Sequence, residues 1–244
     1  MKTNIKEYKA GNILFFVREG TSDQKSVDEV VLDKGYQRFR PFRFTVEQGE
    51  TWIDLGANIG AFTVWALEQG AGRVIAYEPD PDNYEILRLN MRRFDAGRYE
   101  LHKAAVVADD REKATLYQNT AKGNVWRNSI EKEWRGGEST TVRCENVLQA
   151  LESVSGGLNI KMDIEGTEMP ILELLASNRQ ILSRIRKLTF EWSFDVDPDL
   201  KRFRAVLHRL KDAFPNVSPS NEYSEHDSWK PEWFPPCKTL YCRK

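Results

Sequence analysis

A chain of 244 residues can bury one α/β core with little left for a second. Its 36 basic and 37 acidic residues leave a net charge of −1, so no global field draws it to a polyanion or an anionic membrane. The 40% hydrophobic content is that of an ordinary globular chain, and the apolar run at 13–17 is too short for a signal-peptide core or a membrane span. In chain order, residues 1–48 read as a β-rich extension: a strand at 13–17, a turn at Thr21-Ser-Asp23, and a short helix or strand at 27–32. An aromatic and basic stretch, 35–44, leads into the first core strand. From residue 49 the pattern alternates: strand 51–56, helix 60–69, strand 73–78, helix 82–95, strand 99–106. A less regular stretch, 108–145, holds strands at 113–118 and 139–144. Helix 146–153, strand 158–163, helix 168–177, strand 186–192 and helix 199–213 follow. A Pro- and Trp-rich loop, 215–236, precedes a final strand at 237–242. This rhythm predicts a Rossmann-like α/β fold, a mostly parallel seven-stranded sheet with helices on both faces. The extension, 1–48, is expected to pack on a domain spanning 49–244.

The most informative stretch is Thr51-Trp-Ile-Asp-Leu-Gly-Ala-Asn-Ile-Gly60 with Tyr77-Glu-Pro-Asp80. It is the first half of a nucleotide-binding unit, with Glu78 placed where a ribose needs a carboxylate. In a dinucleotide fingerprint a second glycine lets the backbone approach a pyrophosphate, but Asn58 occupies that place. An asparagine offers an amide to an amino acid instead. S-adenosylmethionine carries an amino acid, a sulfonium and a ribose, and no phosphate. Gly56 and Gly60 let the backbone bend close to the methionine portion, Asp54 can organise its ammonium, and Glu78 can accept from both ribose hydroxyls.

The second stretch is Lys161-Met-Asp-Ile-Glu-Gly-Thr-Glu168. Ligands of open parallel sheets bind at the carboxyl ends of the strands, so Asp163 faces the same crevice as Asp54 and Glu78. Two acids and a lysine at one strand end are costly without a task or a partner. A plainer account has Lys161 neutralising Asp163 while Glu165 and Glu168 complement a helix N-terminus.

Three blocks carry a specific resemblance: Ile53-Asp-Leu-Gly-Ala-Asn-Ile-Gly60, Tyr77-Glu-Pro-Asp-Pro-Asp-Asn83 and Lys161-Met-Asp-Ile-Glu-Gly166. Thr21-Ser-Asp23, Gly35-Tyr36, Asn128-Ser-Ile130 and Glu191 agree more weakly. Together they resemble the FkbM-type family of S-adenosylmethionine-dependent methyltransferases, and the Lys-x-Asp-x-Glu-Gly block is the discriminating one. The resemblance implies a class I methyltransferase fold and methyl transfer to a hydroxyl of a sugar, glycan or related natural product. Asp163 and Glu165 are then the groups that accept the hydroxyl proton or orient the hydroxyl, with Lys161 holding them in register. Cofactor contacts are expected from Tyr36, Asp54, Gly56, Ala57, Asn58, Gly60, Glu78, Pro79, Asp80, Ala105 and Asp163. Acceptor contacts are expected from Ser129, Glu191 and Trp192.

Rival readings remain at this level. Asp163, Glu165 and Glu191 are oxygen donors that could meet around Mg²⁺ and acidify an alcohol. Arg38, Arg40 and Arg43, interleaved with aromatics, fit a nucleic-acid methyltransferase, although no second basic cluster accompanies them. A non-catalytic cofactor-binding module is a third class, and an NAD-dependent oxidoreductase a distant fourth. Trp126, Trp134, Trp229 and Trp233 lie in irregular segments and suit stacking on sugar faces. Cys144, Cys237 and Cys242 are odd in number and far from His102, His208 and His226, which disfavours zinc and points to a reducing, cytoplasmic setting.

Overall fold

The computed structural model describes residues 4–33, 36, 44–119, 127–134, 137–193, 196–219 and 237–244. Most of the basic stretch 35–44, with Arg38, Arg40 and Arg43, lies outside these residues. So do Trp126, Trp229, Trp233 and the greater part of loop 215–236.

The extension opens with a hairpin of β1 (Ile5–Ala10) and β2 (Ile13–Arg18), antiparallel in the register Ile5 to Arg18 and Ala10 to Ile13. Phe15 and Val17 are buried while Leu14 is exposed, the two-residue period of a strand covered on one face. The segment left open between helix and strand is helical, as α1 (Asp23–Val31). Asp23 and Val27, one turn apart, are its buried residues.

The core begins with β3 (Thr51–Leu55), α2 (Ala61–Glu68), β4 (Arg73–Tyr77) and α3 (Pro81–Met91). Every residue of α2 from Ala61 to Leu67 is buried. A helix apolar all round must be covered on all sides. The sheet covers one side, and Phe15, Val17 and Val27 of the extension join the same apolar cluster as Phe62 and Trp65 on the other. In α3, Pro81 at the first position and the Asp80 carboxylate, accepting from the backbone N–H groups of Asp82 and Asn83, fix the start.

The strand expected at 99–106 is two strands. β5 (Tyr99–His102) joins the main sheet beside β4, whereas β6 (Ala105–Val107) crosses into a second sheet with β7 (Lys113–Tyr117) and β8 (Ser139–Asn146). After α4 (Val147–Glu152) come β9 (Leu158–Met162), α5 (Glu168–Ser177), a short α6 (Arg179–Arg184), β10 (Ile185–Ser193) and α7 (Leu200–Ala213). β11 (Asn216–Pro219), inside the stretch expected to be loop, and β12 (Cys237–Arg243) complete the chain. The seven-stranded sheet has the order β11-β12-β10-β9-β3-β4-β5. The strands from β10 to β5 are parallel, and β12 runs antiparallel to β10 and β11. The order reverses between β3 and β9, and the crevice of such a sheet opens at that point, beyond the carboxyl ends of the strands.

Candidate active site

A cavity of about 370 Å³ opens at this reversal. Of the expected site residues, Tyr36, Gly56, Ala57, Asn58, Glu78, Pro79, Ala105, Lys161, Asp163, Glu165 and Glu191 line it.

The turn after β3 runs against the turn after β9. The Asp163 N–H donates to the Leu55 carbonyl at 3.0 Å, and a Cβ on Gly56, whose φ is +80°, would overlap the Asp163 carbonyl. Only glycine meets both demands. Gly60, with φ +87°, caps α2 against Leu87 and does not line the cavity. Between them Asn58 adopts φ 52°, and its buried side-chain oxygen has no hydrogen-bond partner among the described residues. Asn58 visits the left-handed region more readily than most residues. A buried acceptor without a donor costs free energy that an ammonium would relieve.

Asp54 lies beneath this loop rather than on the cavity wall. Its carboxylate accepts from Thr63 Oγ1 at 2.6 Å and lies 3.1 Å from Lys161 Nζ. Lys161 donates to the Gly56 carbonyl at 2.7 Å and stands 3.9 Å from Asp163. Burial alone would lower the Lys161 pKa, but Asp54 and Asp163 beside it raise it above its usual value. Lys161 therefore stays charged and ties the β3 turn to the β9 end.

Glu78 is buried at the tip of β4. Its carboxylate accepts from the Asn58 N–H at 2.7 Å and the Asp80 N–H at 2.9 Å. Burial, and then the Asp80 carboxylate, push its pKa up to about 8 against these bonds. Asp80 does not reach the cavity: besides capping α3 it accepts from Gln118 Nε2 at 2.6 Å and Asn128 Nδ2 at 3.0 Å.

Beyond β9, Glu165 sits at φ 53° with its side chain buried and Arg127 Nε 3.4 Å away. Burial and then Asp163 hold its carboxyl well above the usual range, Arg127 opposing. Glu168, buried, accepts from the N–H groups of Ile164 at 3.2 Å and Gly166 at 2.9 Å. It therefore pins the 164–166 turn rather than merely facing the helix dipole.

Two expected acceptor contacts fall elsewhere. Ser129 is buried, donates to the Glu165 carbonyl at 2.5 Å and accepts from the N–H groups of Glu131 and Lys132. Trp192 is buried, stacks on Phe203 with centroids 3.8 Å apart and donates to the Asp197 carbonyl. Adjacent residues of a strand point to opposite faces, so Glu191 and Trp192 could not both reach the cavity. Tyr36 packs edge-on against Phe62 at 5.1 Å, and burial, followed by Asp163 and Glu191, raises its hydroxyl pKa. Asn128 and Ile130, from a block that agreed with the family only weakly, also line the cavity, as do Arg127 and the α1 residues Ser26, Glu29 and Val30, which were not singled out in the sequence. Asp163, Glu165 and Glu191 all line the cavity, and among the described residues no three His, Cys, Asp or Glu side chains converge on a metal-sized site.

These features define a Rossmann-like fold of the class I methyltransferase type, with the glycine turn after β3, Glu78 after β4 and the Asp163 and Glu165 carboxylates after β9 on neighbouring strand ends. The FkbM methyltransferase domain matches residues 54–214, and the chain belongs to that family. No curated protein matches. Solved structures of similar fold include a methyltransferase FkbM from Methylobacillus flagellatus KT, 20% identical, covering 85% of this chain and 46% of that one, TM-score 0.50. This chain thus spans less than half of that protein. A putative methyltransferase from Streptococcus mutans in complex with S-adenosylhomocysteine is 10% identical, covering 88% and 97%, TM-score 0.50. A putative S-adenosylmethionine-dependent methyltransferase from the same species is 9% identical, covering 98% and 55%, TM-score 0.51.

The residues present fit S-adenosylmethionine, the family's cofactor. The unpartnered Asn58 oxygen and the Gly56 turn suit its amino acid end, Glu78 its ribose, and Pro79, Ala105, Val106 and Leu116 its base. Among the described residues no helix is long and apolar enough to cross a membrane.

Proposed function

We propose that this chain is an O-methyltransferase acting on a hydroxyl of a sugar, glycan or related small natural product. S-adenosylmethionine supplies an electrophilic methyl group. The protein has to align an acceptor oxygen with it and take the hydroxyl proton. The observation that carries the reading is the pair Asp163 and Glu165, both on the cavity wall beside the turn that suits the methionine portion. Asp163, one-third exposed at its side chain, orients the hydroxyl. Glu165, whose pKa burial and Asp163 raise well above the usual carboxylate range, is in its ionised form a stronger base than an ordinary carboxylate and takes the proton. Lys161 braces Asp163 from below.

The test is methyl transfer from labelled cofactor to a panel of glycosides, hydroxylated polyketide-type compounds and RNA. Label retained as an ether on a glycoside or alcohol supports the reading. Label on RNA alone, or cofactor binding with no transfer across the panel, sinks it. The RNA outcome has little behind it in the described part of the basic stretch, since Phe44 is buried against Trp52 and Tyr241.

A further inference from the structure

Thr21-Ser-Asp23, the buried Arg18 and the cavity-facing side of α1 take no part in the reaction above. Arg18 and Asp23 are 8% and 1% exposed. Arg18 Nε and Nη2 donate to the two Asp23 oxygens at 2.9 and 2.8 Å, and the Arg18 backbone N–H donates to Asp23 at 2.8 Å. Thr21 Oγ1 donates to the Arg18 carbonyl at 2.9 Å and accepts from the Asp23 N–H at 3.3 Å, which closes the turn around the pair. An ion pair this deep loses much of its Coulomb gain to desolvation, so stability alone is a weak reason for it.

The pair also reaches outward. Arg18 Nη2 donates to Asn83 Oδ1 at 2.6 Å, across 65 residues of sequence. With that oxygen engaged, the Asn83 amide hydrogen-bonds the Glu78 carboxylate as donor. A continuous buried chain therefore runs Asp23, Arg18, Asn83, Glu78. From the same helix that Asp23 starts, Ser26, Glu29 and Val30, spaced three and four apart, line the cavity.

We propose that Arg18 and Asp23 are positioning residues for the cofactor's ribose carboxylate: through Asn83 they set the orientation and charge of Glu78, which makes the N-terminal extension a working part of the cofactor site. All of it precedes the matched family domain at 54–214 except Asn83 and Glu78. The inference rests on Glu78 holding the ribose.

Several groups face Glu78. Asn58 and Asp80 present backbone N–H groups, Asn83 its amide, the Asp80 carboxylate opposes ionisation, and Lys161 interacts with it at longer range. The Asn83 bond favours the charged form, and a charged acceptor makes the stronger bonds to hydroxyls. Weakening Asn83's hold should therefore make Glu78 harder to ionise and move the pH at which the cofactor binds well.

Calorimetric titration of S-adenosylhomocysteine into the full chain from pH 6 to 9.5 tests this, with Asn83→Ala and Arg18→Lys. Lysine keeps the charge and loses the fork that holds Asp23 and Asn83 together. Each variant is expected to bind about tenfold more weakly at pH 7, with the midpoint of the affinity profile displaced upward by about one unit. The double variant should bind no more weakly than the weaker of the two single variants, because both act through one bond. A merely structural pair would lower the melting temperature and leave the midpoint in place. Folded variants with wild-type affinity and midpoint overturn the proposal. A wild-type chain that binds no S-adenosylhomocysteine at any pH overturns the cofactor reading itself, and the two failures are distinct.

Discussion

Asp163 and Glu165 are two residues apart and live in different surroundings. Asp163 keeps a third of its side chain in contact with solvent and has Lys161 at 3.9 Å. Glu165 is buried, with Arg127 as its charged neighbour at 3.4 Å. If Asp163 orients the acceptor, Asp163→Asn should leave the calorimetric Kd for S-adenosylhomocysteine within about threefold and cut methyl transfer by about 10²–10⁴-fold. Unchanged turnover would remove Asp163 from the reaction. Glu78→Gln should do the reverse, weakening cofactor binding and flattening its pH profile between 6 and 9, because the amide cannot ionise. A profile that still climbs would assign the titration to another group. Much of this was legible in the sequence, since glycines and acids at strand ends announce themselves by type and spacing. Trp192 misled because a tryptophan at a strand end suits stacking on a sugar face, although strand alternation alone sends Glu191 and Trp192 to opposite faces. Arg127 was missed because an arginine in an irregular segment carries no local signal; only the fold brings it to Glu165.

At the scale of elements, β3, α2, β4, β9, α5 and α7 follow the sequence expectation closely, because long runs of fixed period bounded by caps leave little choice. The failures share one cause. The 99–106 stretch contains no Gly or Pro to mark the break at residues 103–104, so its division between two sheets is a tertiary decision. β11 has only four residues, and α6 only six directly after α5, too short for a period to show. Trp192 offers a test of element packing. It is fully buried between β10 and α7, stacked on Phe203 in near-parallel rings 5° apart. Trp192→Ala should cost about 3–5 kcal/mol of stability through the cavity it leaves. Denaturant midpoints measure the loss, and cofactor affinity in the folded fraction should stay as it was. A small stability loss coupled to a large loss of acceptor turnover would return Trp192 to the site.

The whole molecule carries an electrostatic load at one end of its sheet. Glu78, Glu165 and Glu168 are buried within the same crevice region, each with its pKa raised, first of all by burial. Glu78 and Glu168 are each pushed to about 8 from an ordinary 4.5. Between those limits the folded chain holds protons that the unfolded chain has released, so unfolding releases protons and stability falls as pH rises. The contribution is fully present below about 4.5, declines through the neutral range, and is gone above about 8. Lys161, raised from 10.5 by its acids, loses its contribution only at still higher pH and does not offset this trend. The urea midpoint should therefore be lower at pH 8.5 than at pH 6.5, with the slope m unchanged because the surface exposed is the same. Glu168→Gln should remove part of that difference while keeping an oxygen for one of the two N–H groups it now serves. Its pH-independent cost, from the N–H left without an acceptor, is about 1–3 kcal/mol. A midpoint that rises between the two pH values would mean that these carboxylates are already ionised in the folded chain at pH 6.5, and the raised basicity assigned to Glu165 would lose its physical ground.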